Sequence, residues 1–480
     1  MSVTAALPGP RASIATPRAA VWAVALALSA SLAYDLWRMP VQVHDSLQEI
    51  LDAQESASVA ESFDRALGTT AYLRPLRIAQ IKALFDLSQG RYGVAYRGFH
   101  ALLMVALIVL FVRALPIDAG TDSAAAIVAL TVLVGSQTFL CFLREAYPIN
   151  HFLEMAVAAL LALNLTLSRG GWWVDVLAGI TFAAAALTLE SGVLVWVVIA
   201  AAWLCGLRGV STRGLILVSA LLAGYAYLRF VYLETGLPSL SERGSGFFLE
   251  RLDRDELQAR FGDAPLVFYI YNVVVSFLTV LFSEPRDGMF VATRAWLDGD
   301  VDPRVYLGVG SSLAMTLLIG AAAASAWRRR ASLELPDRLA FVAAAVIAAN
   351  AVLAFSYTKD DIVAVAGAFY AVMAFTATRW GLRYAQSGGP IRTVVVTAAL
   401  VTLATAWAVR STGVHHIVIE HAFRTRNDWA VLPLEWQREG RWPSDARQLT
   451  LIQTLRNEAL RSRIPNPNAL PEWRERWYGD

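Results

Sequence analysis

Residues 20–37, AVWAVALALSASLAYDLW, form an apolar run of the length that crosses a lipid bilayer as an α-helix. The composition agrees with a membrane protein, since 56% of the 480 residues are hydrophobic and only 17% are charged, against about 25% in soluble domains. Further runs of the same kind lie at 97–115, 124–143, 152–168, 173–189, 191–206, 214–232, 305–327, 338–356, 361–378 and 392–409. The sequence therefore predicts an all-α, polytopic transmembrane helical bundle with about 11 spans.

The first run is expected to stay in the mature protein. It follows a short leader that holds Arg11 and Arg18, as the apolar stretch of a secretory signal peptide does. It ends in YDLWR (34–38), however, which lacks the small residues that mark a cleavage site. We therefore expect a retained anchor that follows a cytoplasmic leader over residues 1–19.

The arginines of short loops set the expected orientation, because Lys and Arg concentrate on the cytoplasmic side. With the N-terminus inside, the inner loops hold Arg113, Arg169, Arg208, Arg213, Arg328, Arg329, Arg330, Arg338, Arg379, Arg383 and Arg392. All of these arginines lie on the inside only if the apolar stretch 265–283 does not cross the bilayer. We therefore expect a re-entrant or interfacial segment there. The alternative is an ordinary twelfth helix that breaks the positive-inside rule.

The order of apolar and polar stretches divides the chain into five parts. They are a leader (1–19), a transmembrane module with its first outer loop (20–235, loop 38–96), a second outer loop with interfacial or re-entrant helices (236–304), C-terminal transmembrane helices (305–409) and a small outer-face tail (410–480). The long loops and the C-terminus are expected outside. The Ala- and Arg-rich, Lys-poor composition favours a bacterial inner (plasma) membrane as the location.

Several classes of function find no support in the sequence. The net charge of +2 and the lack of a basic, aromatic-interleaved stripe indicate no nucleic-acid partner. Cys141 and Cys205 lie far apart within apolar runs, which predicts neither a disulfide nor a thiolate metal site. The chain holds no Walker loop and no G-x-S-x-G elbow, so the use of a cytosolic nucleotide is unsupported.

The first candidate site group is His44-Asp45, just beyond the first run and expected at the lipid–water boundary. A carboxylate there could remove a proton from an acceptor hydroxyl, or orient the hydroxyl by accepting its hydrogen bond. The alternative is a solvated loop acid that caps the next helix. Asp45 is the candidate base, and His44 is a candidate substrate contact.

Basic side chains on the same expected side form a second candidate set. Arg74 lies in YLRPLR (72–77), and Arg97 and His100 lie where the second run begins. Arginines near the outer membrane surface can bind a phosphate or pyrophosphate through paired hydrogen bonds. The alternative is snorkelling to anionic lipid.

Two acids and a histidine are expected at the depth of Asp45: His151 and Glu154 after a short outer loop, and Glu190 between two apolar runs. Converging acids, His and Arg would make a polar cavity, whereas the alternative is a set of structural ion pairs that tie helix ends together. A His/Glu/Asp set can also bind a divalent metal. No tight ligand spacing supports one, so no metal or other cofactor is predicted.

A turn in the second outer loop, Ser283-Glu284-Pro285-Arg286, is dense in functional groups. Glu284 and Arg286 are candidate contacts to a sugar or a phosphate. The alternative is ordinary turn chemistry with Pro and Gly.

The order of these elements resembles the GT-C superfamily of polytopic glycosyltransferases, which includes protein O-mannosyltransferases and bacterial lipid A aminoarabinose transferases. The resemblance covers roughly the first 235 residues and rests on Asp45, the element from Tyr72 to Leu76, the stretch from Gly93 to His100, the turn with Pro148, His151 and Glu154, and the stretch from Glu190 to Gly192. The chain departs from the family where His44 replaces a second acid before Asp45, and where Leu189 replaces a lysine.

The resemblance implies a polyprenyl-phosphate sugar donor, a glycan, lipid or protein acceptor, and a site on the non-cytoplasmic face. Asp45 would be the catalytic base, and Arg74 and Arg97 would hold the donor phosphate. His151 or Glu154 would line the pocket. The implied reaction is direct displacement at the anomeric carbon as the lipid phosphate leaves.

Other functions stay open at this point. A transporter or flippase for a lipid-linked saccharide would have charged residues deep in its helices and spans broken near the midplane. The acids here lie near the ends of the runs, which favours an enzyme. A non-catalytic envelope-assembly protein and an O-antigen polymerase or ligase are further alternatives.

Overall fold

The computed structural model describes residues 15–67, 72–144, 148–235, 240, 245–248, 250–282, 291–299, 303–462 and 464. Its α-helices are α1 (Ala15–Arg38), α2 (His44–Glu55), α3 (Val59–Leu67), α4 (Pro75–Ser88), α5 (Tyr92–Ala114), α6 (Gly120–Gly135), α7 (Gln137–Arg144), α8 (His151–Thr166), α9 (Trp172–Thr188), α10 (Leu194–Leu204), α11 (Thr212–Tyr227), α12 (Arg254–Phe261), α13 (Pro265–Phe282), α14 (Val291–Asp298), α15 (Pro303–Arg328), α16 (Leu335–Leu353), α17 (Ala364–Gln386), α18 (Pro390–Arg438) and α19 (Ala446–Arg461). One antiparallel hairpin, β1 (Ser245–Phe247) and β2 (Glu250–Leu252), departs from the all-α prediction.

Local sequence explains where several helices begin. The first N–H groups of a helix have no partner within it, so polar side chains or proline are favoured there. Asn150 accepts the N–H of Leu153 at 3.0 Å to start α8. Ser211 accepts the N–H of Arg213 at 3.1 Å to start α11, and Pro390 stands in the first turn of α18.

Seven helices in the described part of the chain are long and apolar enough to cross a membrane: Pro17–Arg38, Tyr92–Ala114, Thr212–Tyr232, Pro265–Phe282, Tyr306–Arg328, Leu335–Leu353 and Pro390–Arg438. The number rises to eight if the bent pair α6 and α7 is one broken span. Three further predicted spans correspond to shorter apolar helices, which are α8, α9 and Glu190–Leu204. The fold thus fits a multi-pass membrane protein, while the count of about 11 spans stays a prediction.

The bundle has two ends, which we call the site face and the far face. At the site face α1 ends and α5 begins, and Nε of Arg97 donates to the carbonyl of Met39 at 2.9 Å. At the far face α1 begins and α5 ends, and Nε of Arg18 donates to the carbonyl of Ile117 at 2.6 Å.

The predicted span 124–143 is two helices, α6 and α7, which meet at Ser136 with a bend of 59°. A break of this kind leaves backbone carbonyls without helical partners. Arg410 of α18 satisfies one of them, because its Nε donates to the carbonyl of Gly135 at 3.1 Å. The same guanidinium group donates to the hydroxyl of Ser312 at 2.7 Å, so the break is held by side chains of two neighbouring helices.

Helix α17 lies in the centre of the bundle. Every residue from Ala364 to Thr378 is buried, and the helix packs against α6, α15, α16 and α18. Its many small residues allow neighbouring backbones to approach closely. At Gly367, for example, an added Cβ would lie only 1.9 Å from the hydroxyl oxygen of Thr138.

Helix α13, in the stretch expected to be re-entrant, reaches only part of the way into the bundle. Near the middle of α13, Asn272 donates to the carbonyl of Phe355, just beyond α16, at 2.9 Å. At its end the carbonyl of Leu281 accepts from Thr316, which lies in the middle of α15, at 2.5 Å. Although α13 has the length and composition of a span, this placement favours the re-entrant interpretation.

Helix α18 is 49 residues long and continues well past the predicted boundary between 409 and 410. Its last turns pack with α2, α4, α5 and α19 around a second apolar core that contains Leu47, Tyr96, Trp429 and Leu455. Trp429 is fully buried, and its Nε1 donates to the carbonyl of Val41 at 2.6 Å. The segment from 410 onward therefore belongs to the body of the molecule as far as α19.

Candidate functional site

A cavity of about 300 Å³ lies at the site face, where α8 and α10 begin and α9, α11 and α16 end. Its polar lining includes Tyr72, Arg74, Arg77, His151, Glu190, Ser191, Arg229 and Lys359. Its apolar lining includes Phe152, Leu189, Phe230, Leu353, Phe355 and Ile362. Three residues predicted for the site, Arg74, His151 and Glu190, therefore meet in one cavity.

Arg74 and Glu190 form the central ion pair of this cavity. The guanidinium Nε and Nη2 lie 3.0 and 2.7 Å from Oε2 of Glu190, and the Tyr72 ring lies 4.3 Å from the guanidinium carbon. Arg74 stands immediately before α4, where Pro75 begins the helix. The pair joins the segment between α1 and α5 to the start of a helix 116 residues later in the chain.

Arg229 approaches the same carboxylate from the end of α11. Its Nη1 lies 3.7 Å from Oε1 of Glu190 and donates to the hydroxyl of Tyr225 at 3.1 Å. The backbone forms a π-helical turn over Leu228–Tyr232, and such single turns inside helices are frequent at functional sites. Two guanidinium groups thus share one carboxylate, which leaves this part of the cavity with a surplus positive charge.

His151 and Glu154 form a buried pair on the first turn of α8. Nδ1 of His151 lies 2.9 Å from Oε2 of Glu154, as their spacing of three residues on a helix allows. Both side chains are buried, and Nε2 of His151 has no hydrogen-bond partner among the described residues. The imidazole lines the cavity, while Glu154 supports it from behind.

Lys359 lines the cavity from the segment between α16 and α17. Its ammonium group lies 2.6 Å from Oδ2 of Asp361, which is itself buried. Its Nζ atom also lies 6.0 Å from the centre of the Phe152 ring, at the start of α8. The cavity therefore has cationic groups on both sides, from α4 and from this later segment.

A second cavity, of about 440 Å³, adjoins the first and shares Tyr72, Arg74 and Arg77 with it. Its remaining lining comes from the segment between α1 and α5 and is mostly polar: Glu49, Asp52, Ser56, Ser62, Arg65, Ala66 and Ile78. Glu49 pairs with Arg77. Burial raises the pKa of the Glu49 carboxyl, and the Arg77 guanidinium offsets only part of this effect.

Asp45 is not brought into either cavity. It lies on the exposed side of the first turn of α2, one helical turn before Glu49, and it is not among the residues that line the two spaces. The backbone of His44 begins the same helix, but its side chain lies outside the described part of the structure. The carboxylates that line the cavities are those of Glu49, Asp52 and Glu190.

Arg97 and His100 are also placed apart from Arg74. Both are fully buried in α5, where Arg97 donates to the carbonyls of Met39 and Pro40, at 2.9 and 2.6 Å. Nε2 of His100 lies 2.6 Å from the carbonyl of Phe142. Both side chains therefore tie α5 to neighbouring segments. Arg97 lines a separate, smaller cavity near α19.

Glu284 and Arg286 lie outside the described residues, so their candidate roles stay predictions. The sequence prediction omitted Arg229, Lys359 and Glu49 from the site. The signal for Arg229 was available, because an arginine within an apolar run is costly and usually has a function. Glu49 offered no such signal, since it lies in a polar loop among several other acids.

Comparison of the chain with protein-family models, with curated sequences and with solved structures finds no match. Within the described ranges, no group of three or more His, Cys, Asp or Glu side chains is arranged to hold a metal ion. The GT-C resemblance therefore stays a prediction.

Proposed function

We propose that the protein is a membrane glycosyltransferase that moves a sugar from a polyprenyl-phosphate donor to an envelope acceptor on the non-cytoplasmic face of a bacterial inner membrane. The observation that carries this proposal is the cavity at the site face, where cationic groups and an apolar wall meet at the ends of apolar helices. A lipid-linked phosphate needs both features at that depth.

The charge at Glu190 supports a phosphate with a single negative charge. Arg74 and Arg229 share this one carboxylate, so one further negative charge balances the cluster. A sugar phosphodiester of a polyprenol carries one negative charge, whereas a diphosphate-linked sugar carries two. Guanidinium groups also match the oxygens of a phosphate in geometry, which gives orientation as well as attraction.

The apolar wall supports a lipid chain on the donor. Phe152, Leu189 and Phe355 line the cavity together with Phe230, which is about half exposed on the outside of the bundle. The cavity thus extends toward a surface made of apolar side chains. In the proposed orientation, with the N-terminus inside, this surface lies at the outer edge of the bilayer.

The second cavity supports a polar acceptor. It lies in the first outer loop, is lined by hydroxyl and carboxyl groups, and meets the first cavity at Arg74 and Arg77. The acceptor hydroxyl would attack the anomeric carbon as the lipid phosphate leaves, and Arg74 and Arg229 would stabilise the leaving phosphate. The predicted role of Asp45 as the base gains no support from its exposed position.

The proposal is tested by the transfer of labelled sugar from a panel of polyprenyl-phosphate monosaccharides to membrane acceptors by the purified protein. We expect the wild type to transfer sugar and Arg441→Gln to transfer it at the wild-type rate. In Arg74→Gln we expect the rate of transfer to fall by at least about 100-fold, because charge stabilisation of a leaving group contributes that much to the rate. Arg441 is exposed and pairs with Glu439, so its variant controls for the loss of an arginine. Equal rates in all three proteins would refute the proposed donor site.

A transporter or flippase for a lipid-linked saccharide is the second candidate, because α6 and α7 form a broken helix. In transporters such a break lines the substrate site. Here Arg410 fills the break at Gly135 instead, and the break lies apart from the cavity lining. Movement of a labelled polyprenyl-phosphate sugar across proteoliposomes, without transfer to any acceptor, would favour this candidate.

A further inference from the structure

We propose that His151 is the general base of the transfer reaction, with Glu154 as its positioning residue. This inference rests on the proposed function and adds to it the group that accepts the proton. It assigns to the buried pair on α8 a role that the sequence had given to Asp45.

Glu190, the carboxylate among the residues that line the first cavity, is already engaged by cations. Glu190 accepts from Arg74 and lies beside Arg229. Glu49 and Asp52 line the adjoining cavity and not this one. An ion-paired carboxylate is a weaker proton acceptor, because the adjacent cation favours its ionised form. His151 is the imidazole among the described residues of the lining, and its hydrogen bond joins it to the Glu154 carboxylate rather than to a cation.

The geometry of the His151–Glu154 pair also fits a general base. Nδ1 of His151 lies 2.9 Å from Glu154, and the two residues stand on the same first turn of α8, which Asn150 caps. When Glu154 accepts the Nδ1 proton, the lone pair of Nε2 remains available. Nε2 is itself buried and has no hydrogen-bond partner among the described residues, so it is an unsatisfied polar atom of a side chain that lines the cavity. Histidines that act as general bases are commonly oriented in this way, by a carboxylate that accepts the proton of the other ring nitrogen.

The acceptor hydroxyl gives its proton to Nε2 of His151, and its oxygen forms a bond to the anomeric carbon. The bond from that carbon to the phosphate oxygen breaks, and the electron pair leaves with the polyprenyl phosphate. The imidazolium that forms is stabilised by Glu154, and the extra negative charge on the phosphate is stabilised by Arg74 and Arg229.

The main test uses His151→Asn, because the amide nitrogen of asparagine can keep the hydrogen bond to Glu154 while Nε2 is removed. We expect kcat for sugar transfer to fall by about 100-fold to 10,000-fold, the usual contribution of a general base. We expect the affinity for polyprenyl phosphate, measured by calorimetry in detergent micelles, to change by less than about threefold, since the phosphate is held by other groups. Glu154→Gln should lose less activity than His151→Asn.

Two further measurements separate a base from a structural histidine. Added imidazole should restore part of the activity of His151→Ala, whereas it should not affect Arg74→Gln. His421→Asn is the matched control, because His421 contacts Gln42 and the carbonyl of Arg144 and is not part of the cavity lining. It should transfer sugar at the wild-type rate.

The outcomes distinguish this inference from the proposed function. Transfer by His151→Asn within about threefold of the wild type, together with a loss in Arg74→Gln, would overturn His151 as the base and leave the transferase proposal standing. A parallel loss of kcat and of phosphate affinity in His151→Asn, without rescue by imidazole, would indicate a structural role. A wild type that binds polyprenyl phosphate but transfers no sugar would overturn both proposals.

Discussion

At the scale of single residues, the site is built by side chains that hold one another in place. Glu190 fixes Arg74 through two hydrogen bonds and lies beside Arg229. Glu49 forms an ion pair with Arg77 in the adjoining cavity. The side chains of both pairs are largely buried, and burial of a charge is costly unless a partner is present. The ion pairs therefore keep the cationic wall in position before any ligand arrives.

Glu49 should make the stability of the protein depend on pH. Its folded pKa is raised above the usual value of 4.5, so the folded state holds the proton more firmly than the unfolded state does. The resulting contribution to stability is fully present below the unfolded pKa and is lost as the pH rises through the folded pKa. In Glu49→Gln this loss disappears, so the dependence of the unfolding temperature on pH should become flatter above pH 4.5.

Thermal unfolding in detergent across this pH range measures the effect. Each kcal/mol corresponds to roughly 2–4 °C for a chain of a few hundred residues. Glu439→Gln is the control, because Glu439 is exposed and pairs with Arg441 on the surface. An identical slope with pH in the wild type and in Glu49→Gln would contradict the prediction.

At the scale of elements, Gly192 should be essential for the position of Glu190. A Cβ at Gly192 would lie 2.2 Å from the backbone carbon of Ala185 in α9, and backbone cannot give way as a side chain can. We expect Gly192→Ala to lower the free energy of unfolding by about 2–4 kcal/mol, as overpacking does at its more severe end. Sugar transfer should fall as well, because Glu190 would move away from Arg74.

Gly224→Ala is the matched control for this prediction. Gly224 lies inside α11, and an added Cβ there would meet no atom within 4 Å. Alanine is favoured over glycine in a helix interior by about 1 kcal/mol. Gly224→Ala should therefore unfold at the same temperature as the wild type or higher, and equal behaviour of the two variants would refute the close approach at Gly192.

Helix α13 provides a second prediction at the scale of elements. Because α13 ends beside the middle of α15, the chain should return to the face from which it entered. Single cysteines at Asp263 and Asp298, introduced after Cys141 and Cys205 are replaced, should both react with an impermeant thiol reagent from the same side. A cysteine at Asp118, on the far face, should react only from the other side.

Labelling of the cysteines at positions 263 and 298 from opposite sides of the membrane would contradict the re-entrant interpretation. It would indicate instead that 265–283 crosses the membrane as an ordinary helix. The physical reason for the expectation is the direction of α15. Its end lies beside the start of α16, where Arg329 is 3.4 Å from Asp337, so α15 itself runs from the site face to the far face.

At the scale of the whole molecule, an ion-pair network on the far face holds three helices together. Arg379 of α17 lies 2.7 Å from Asp122 of α6 and 3.2 Å from Glu334 at the start of α16. Asp122 is 1% exposed, so removing its partner leaves a buried charge. We expect Arg379→Met to lower the free energy of unfolding by about 3–5 kcal/mol.

Arg383→Met is the control for this network. Arg383 contacts Glu334 at 3.1 Å, but it is about half exposed, and exposed pairs contribute only about 0–1 kcal/mol. Chemical or thermal unfolding in detergent should therefore show that Arg379→Met is much less stable than Arg383→Met. Equal stability of the two variants would show that Asp122 does not depend on Arg379.

The sequence alone determined the helical character of the chain and the approximate position of the apolar helices that could cross a membrane. This was possible because the transfer of an apolar helix into lipid depends on about 20 consecutive residues, which is a local property. The same locality explains the errors of detail. The bend between α6 and α7 and the length of α18 depend on distant side chains, such as Arg410 at the break.

Only the tertiary structure decided which polar groups meet. From the sequence, Arg74, Arg97, His100 and His151 were equivalent candidates on the same expected side. The fold brings Arg74 to Glu190, 116 residues away, and buries Arg97 against the end of α1. The physical reason is that a buried charge or hydrogen-bond donor can be satisfied by any partner within reach. Helix packing decides which partners come within reach, and it has no signature in local sequence.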